Sequence, residues 1–273
     1  MPRRFKSGNP NGGQRGFSLI ELSIAILIAL FLLGGLVTLL MGTRRTNATQ
    51  SSLSQLQDNE RIAMTLITNI VQKAGYFSNP VTQQLSTFAA ENIAGVSMLQ
   101  GQVLGGIYSA TAPGDTLAVR FYTPATDPNN AVIDCAGQSN SAASSAPNPN
   151  LWYTNVFRIR TVNGTQWLTC ETRTSGTGTR LQINLIPNVT QIAVLYGVSS
   201  STAGDDYSIV QYLNASQLTG TTWPNVTAVK VTLTFQVPNY GNTGGQMLPG
   251  SAPNSTTTIT RVIPIMSRAG VNT

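Results

Sequence analysis

A long apolar run near the start of the chain constrains its fold more than any other feature. Residues 17–41 carry a single charge, Glu21, and at about 1.5 Å of rise per residue they are long enough to cross a bilayer about 30 Å thick as a helix. A carboxylate at the bilayer centre costs about 2.5 kcal/mol or more, so Glu21 needs a partner. Cleavage after Gly16 would supply one, because it creates an ammonium group on Phe17, four residues before Glu21.

Basic residues before this run predict its orientation. Residues 1–16 contain Arg3, Arg4, Lys6 and Arg15 and no acidic residue. The positive-inside rule places this leader in the cytoplasm, and the bulk of the chain then faces the periplasm of a Gram-negative cell. The formal charge of +6 is therefore mostly a property of the leader, and nucleic acid is not an expected partner.

The chemistry that the chain lacks excludes most catalytic classes. It contains no histidine, which rules out Ser-His-Asp and Cys-His arrangements, and it has no phosphate-binding loop of the Walker type. We therefore predict a protein that is not an enzyme and that has no metal and no cofactor. Asp205 and Asp206 are interpreted as a solvated turn, with a calcium loop as the alternative.

Two cysteines, Cys135 and Cys170, lie in the part of the chain that is expected to be exported. An even number of cysteines in an oxidising compartment predicts one disulfide. The alternative is a pair of unlinked thiols in the core.

The helical pattern continues beyond the apolar run. Apolar residues recur at spacings of three and four from Leu53 to Ala74, which predicts an amphipathic helix over 44–74. Gly75 provides a C-terminal stop. The sequence thus predicts one helix from Phe17 to about Ala74, apolar on all sides in its first half and on one stripe in its second.

The remainder of the chain predicts short strands. Alternating apolar residues mark them, and Asn163-Gly164 between two of them is typical of a two-residue hairpin turn. One helix followed by many strands predicts an α+β fold in which an antiparallel sheet packs on the helix. The predicted strands are 116–123, 152–162, 165–172, 179–186, 190–196, 226–237 and 256–265.

The N-terminal residues Gly16-Phe17-Ser18-Leu19-Ile20-Glu21 resemble the processing site of type IV prepilins. The resemblance implies cleavage between Gly16 and Phe17 by a prepilin peptidase, N-methylation of Phe17, and a role for Glu21 in assembly. It also suggests that Gly34 and Gly35 allow local melting of the helix in a filament. A membrane helix that merely tolerates these two glycines is the alternative, and an ordinary signal anchor is the alternative for the whole segment.

Further along, Leu56-Gln57-Asp58-Asn59-Glu60-Arg61 and Ala74-Gly75-Tyr76-Phe77 resemble the signature of PilW-type minor pilins. The resemblance implies a pilin-like roll over residues 42–273 and a subunit that primes pilus assembly and sits at or near the tip. It implies an inner-membrane location before assembly and the pilus or cell surface afterwards. The implied partners are the prepilin peptidase, other minor pilins, the major pilin and a tip adhesin.

Two other functions remain open from the sequence. A minor pseudopilin of type II secretion would share the processing site and the helix. A tip module that binds surfaces or DNA would need a basic stripe, for which Arg158, Arg160, Arg173 and Arg180 are the candidates. An ordinary solvated sheet face is the simpler interpretation of these four arginines, of which Arg158 and Arg160 alternate along one strand.

Overall fold

The computed structural model describes residues 16, 18–77, 85–123, 132–139, 151–175, 180–199, 208–237 and 255–267. Phe17, Asp205 and Asp206 lie outside the described residues. The chain divides into two compact units, Met1–Ser51 and Ser52–Thr273. The boundary predicted from the sequence, between residues 41 and 42, marks the end of the segment expected to enter a membrane. It is a different kind of boundary from a division by contacts, and it stays a prediction.

A single helix, α1, runs from Leu19 to Gln72 over 54 residues, close to the predicted span. The first part of α1 is long and apolar enough to cross a membrane, and none of its most apolar stretch is buried within the protein. The hydroxyls of Ser23, Thr38 and Thr43 donate to backbone carbonyls three or four residues earlier. Because these polar groups are satisfied within the helix, they add little cost to an apolar surrounding.

Eleven antiparallel strands make up the sheets of the second unit within the described residues. Each of the seven predicted strands is present, with ends that differ by at most three residues. The strands are β1 (Glu91–Ile93), β2 (Val96–Met98), β3 (Leu104–Ile107), β4 (Thr116–Tyr122), β5 (Trp152–Val162), β6 (Thr165–Thr174), β7 (Arg180–Pro187), β8 (Val189–Ser199), β9 (Ile209–Leu213), β10 (Val226–Gln236) and β11 (Thr256–Pro264).

The strands form three sheets rather than the single sheet predicted. Strands β3 to β7 follow one another in a five-stranded meander, a four-stranded sheet has the order β11-β10-β8-β9, and β1 pairs with β2 alone. The turn between β5 and β6 is the predicted Asn163-Gly164 hairpin. Both residues have positive φ, 50° and 79°, as a type I′ turn requires.

One buried cluster joins the second half of α1 to both large sheets. Ala63, Met64 and Ile67 are fully buried on the helix, and they belong to the same cluster as Phe157 of β5 and Leu233 of β10. The α+β arrangement of a helix packed on antiparallel sheets is confirmed.

A smaller cluster covers the opposite side of the meander. Ile93, Val96 and Met98 of the β1–β2 hairpin pack on Ala118 of β4 and Val156 of β5. The hairpin therefore buries the outer face of β4 and of β5 as far as Val156, whereas the end of β5 that carries Arg160 is exposed and β6 and β7 keep their outer faces partly open to solvent. The outer face of the meander is not the simple solvated face that local alternation predicted.

Candidate functional site

The N-terminal segment holds the residues singled out for processing and assembly. Gly16 is exposed, and the Ser18 carbonyl accepts hydrogen bonds from the backbone of Glu21 and Leu22 at 3.0 and 3.1 Å, which begins the helix. Glu21 lies in the first turn, where the helix dipole favours a negative charge. Within the part of the chain that the structure describes, Glu21 has no ion-pair partner.

Gly34 and Gly35 are both helical in this structure. A Cβ atom at either position would meet no atom within 4 Å, so packing inside the subunit does not require a glycine there. The Thr38 hydroxyl donates to the Gly35 carbonyl at 2.7 Å. Local melting at these two glycines stays a prediction, since it concerns a subunit inside a filament.

Cys135 and Cys170 form a disulfide, with 6.3 Å between their Cα atoms. Cys170 is fully buried on the inner face of β6, and Cys135 lies in a short segment beside it. The backbone N–H of Cys135 donates to the Asn155 side-chain oxygen at 2.8 Å. The bond thus attaches residues 132–139 to the centre of the meander.

Asp134, next to the disulfide, is buried and accepts three hydrogen bonds. Its carboxylate accepts from the backbone of Ala136 and Gln138, at 2.9 and 2.8 Å, and from the Thr172 hydroxyl at 2.9 Å. Burial raises the pKa of Asp134, and these hydrogen bonds only partly offset the rise. The carboxyl therefore has a structural role in shaping this loop.

Arg120 of β4 is a fully buried cation that sequence reasoning missed. Its guanidinium donates to three backbone carbonyls: Nε to Gln102 at 2.8 Å, Nη1 to Ala89 at 2.5 Å and Nη2 to Leu99 at 2.8 Å. Burial lowers the pKa of Arg120 to about 10, while Glu91 and Tyr122 act in the opposite direction. The guanidinium therefore stays charged at neutral pH. A signal was present in the sequence, because an arginine in an otherwise apolar strand needs partners when both faces are covered.

Glu91 connects this arginine to the open side of the meander. Its carboxylate lies 3.7 Å from Arg120 and 3.5 Å from Arg173, and it accepts a hydrogen bond from Thr154. Nearby, Arg158 pairs with Glu171 at 2.8 Å. These contacts hold the β1–β2 hairpin on the meander.

The four candidate arginines lie on one face of the meander. The register places Arg160 opposite Trp167 and Arg173 opposite both Thr154 and Arg180. The structure thus brings together four side chains of which the sequence had placed only two on a common face. In the part of the chain that the structure describes, no group of three or more histidine, cysteine or acidic side chains is arranged to hold a metal ion.

Comparisons with known protein families match two segments of the chain. The family model of the prokaryotic N-terminal methylation motif matches residues 11–37, which include Gly16, Phe17 and Glu21. The model of type IV pilus-assembly protein W, PilW, matches residues 156–261. The chain is similar to type IV pilins over these two segments. The predicted resemblance to PilW-type minor pilins is confirmed by these two matches.

Other comparisons add little to this assignment. No curated protein matches the sequence. Among solved structures, a type IV-like pilin from Thermus thermophilus is similar at 15% identity, with 77% of this chain and 95% of that chain covered and a TM-score of 0.41.

Proposed function

We propose that this pilin-like protein is a minor subunit of type IV pili that primes assembly and sits at or near the tip. The observation that carries the proposal is the exposed apolar segment of α1, with Glu21 in its first turn, inside the matched methylation motif. The match to pilus-assembly protein W supports a pilus over a secretion apparatus.

Processing at the N-terminus is the first step of this proposal. A prepilin peptidase cuts between Gly16 and Phe17 and methylates the new amine, while residues 17–41 anchor the subunit in the inner membrane and 42–273 fold in the periplasm. The exposed glycine and the helix that begins only at Leu19 support access to the bond. A bulky side chain in place of Gly16 would block the cut, and Gly16→Leu should run on a gel as the uncut precursor.

Glu21 then sets the axial register of the subunit. Within the hydrocarbon region it costs about 2.5 kcal/mol or more, and a neighbouring subunit that brings its terminal ammonium group to the carboxylate offsets this cost. Glu21 is exposed in the first turn of α1, which supports access of a neighbouring subunit to its carboxylate. Other minor pilins, the major pilin and a tip adhesin are the proposed neighbours.

Complementation of a deletion strain tests the assembly step. Glu21→Ala should leave cleavage largely intact and should remove the protein from sheared filaments, as measured by mass spectrometry of the filament fraction. The matched control is Glu60→Ala, which removes an acid from the same helix outside the apolar segment and should be incorporated normally. Normal incorporation of Glu21→Ala would contradict the register mechanism.

The same filaments decide between the two apparatuses. A peptide that begins at N-methylated Phe17 in surface pili supports the pilus assignment. If the deletion strain keeps its pili and loses protein secretion, the protein is a type II secretion pseudopilin instead.

A further inference from the structure

The outer side of β5, β6 and β7 forms a surface that the function proposed above does not use. Alternate residues of a strand point to the same face, so Arg158 and Arg160 of β5 share this surface with Arg173 of β6 and Arg180 of β7. We call it the arginine face. Trp167 of β6 lies on it, directly opposite Arg160.

Positive charge on the arginine face exceeds negative charge. Arg158 pairs with Glu171, and Arg173 shares Glu91 with the buried Arg120. Among the described residues, the four arginines of this face and the buried Arg120 therefore share two carboxylates.

Two of these arginines have only neutral partners. Arg160 donates to the side-chain oxygen of Gln182, and Arg180 lies 3.5 Å from the carbonyl of Asn92. Among the described residues, neither has an acidic partner. Their charges are therefore left to attract an anion.

An aromatic side chain adds a second kind of contact. Trp167 is partly exposed, and it is not among the hydrophobic side chains that pack on either buried cluster. On β7 its register partner is Pro187, and the exposed amides of Asn184 and Gln182 lie opposite Thr169 and Glu171, further along the same face. A half-open indole opposite an arginine offers both a stacking surface and a positive charge at one place.

We propose that the arginine face binds single-stranded nucleic acid. Arg160 and Arg180 contact phosphates, and Trp167 stacks on a base. Arg160 lies opposite Trp167 and Arg180 lies opposite Arg173. Trp167 and Arg173 are six residues apart on β6, so the two arginines are separated by about 20 Å along the strands, which is the length of a few nucleotides. Stacking of a base on an aromatic ring contributes about 1–3 kcal/mol, and it is available in a single strand, whose bases are not hidden in a duplex. The small net charge of the chain beyond the leader argued against a nucleic-acid partner. A net charge, however, does not show that four arginines lie on one face of the meander.

The test uses the full chain in neutral-detergent micelles and a fluorescently labelled oligothymidylate of about 20 nucleotides. Anisotropy titrations over a range of salt concentrations give the slope of log K against log salt, which is about −0.7 per phosphate neutralised on a single strand. The double variant Arg160→Gln/Arg180→Gln should flatten the slope by about 1.4. Trp167→Ala should weaken binding without changing the slope.

A matched double variant controls for loss of total charge. Lys230→Gln/Arg261→Gln removes two basic residues from the four-stranded sheet and should leave affinity and slope unchanged. The proposal would be overturned by no binding of the wild type at low salt, or by equal losses in both double variants. A last outcome combines two measurements: an acidic polysaccharide competes as strongly as the unlabelled oligonucleotide, and Trp167→Ala has no effect. This outcome would assign the arginine face to a different ligand and would also overturn the proposal.

Discussion

Removing the buried guanidinium of Arg120 should destabilise the second unit far more than removing any exposed arginine. In Arg120→Met, three backbone carbonyls lose a charged donor, and hydrogen bonds of this kind are each worth about 1.5 kcal/mol or more. Breaking a buried ion pair by removing one partner costs about 3–5 kcal/mol. Both routes give a loss of about 4 kcal/mol.

Thermal unfolding of the full chain in non-ionic detergent, followed by tryptophan fluorescence, measures this loss. For a unit of this size, 1 kcal/mol corresponds to about 2–4 °C, so Arg120→Met should lower the midpoint by about 8–16 °C. The matched control is Arg160→Met, whose side chain is exposed on the next strand, β5, and which should change stability by about 0.5 kcal/mol or less.

A second substitution keeps the prediction testable if Arg120→Met does not fold. Arg120→Lys retains the charge but loses the planar fork that reaches three carbonyls, so its midpoint should fall between those of the wild type and Arg120→Met. If Arg120→Met and Arg160→Met shift the midpoint equally, the buried guanidinium is not what holds the β1–β2 hairpin in place, and the reasoning is wrong.

Three further predictions concern the meander and its surroundings. Replacing Cys135 and Cys170 by alanine opens a loop with a sequence separation of 35 and should cost about 4 kcal/mol in a urea titration of the full chain, whereas equal midpoints for the alanine variant and wild type would contradict this. Because the pKa of Asp134 is raised in the folded state, its contribution to stability is largest below the unfolded-state pKa and is lost as pH rises through the folded-state pKa. Asp134→Asn should therefore gain stability relative to wild type as the pH of a thermal melt rises from 4 to 7, and a midpoint that falls relative to that of wild type over this range would refute the assignment. A Cβ at Gly114 would overlap the Ile192 carbonyl, whereas Gly137 has a similar positive φ and open space, so Gly114→Ala should lower the melting midpoint well below that of Gly137→Ala.

The long elements were predictable because their signals are local. Helix α1 follows from a continuous apolar run and an amphipathic repeat. Strand β10 follows from the alternation of Val229, Val231, Leu233 and Phe235, and each of these residues is fully buried. Strands β1, β2, β3 and β9 were missed because they have three to five residues each, too few to display a period of two.

The arrangement of the arginines was only partly accessible from the sequence. The Asn163-Gly164 turn fixes the register between β5 and β6, so the pairing of Arg173 with Thr154 could have been deduced from it. The position of Arg180 depends on β7, and the burial of Arg120 depends on backbone carbonyls 18 to 31 residues earlier in the chain, on either side of the β1–β2 hairpin. Both depend on contacts between distant segments, which a single sequence does not report.

If the proposed orientation is correct, formation of the disulfide between Cys135 and Cys170 depends on the compartment in which residues 42–273 fold. Reducing enzymes keep cysteine thiols reduced in the cytoplasm. On the proposed orientation, the disulfide therefore forms only once residues 42–273 have been translocated. A cell that lacks its thiol oxidase should then make and insert the precursor at normal rates and lose the exported body to proteolysis. For the proposed pilus subunit, the amount available for assembly would thereby depend on the oxidising capacity of the envelope.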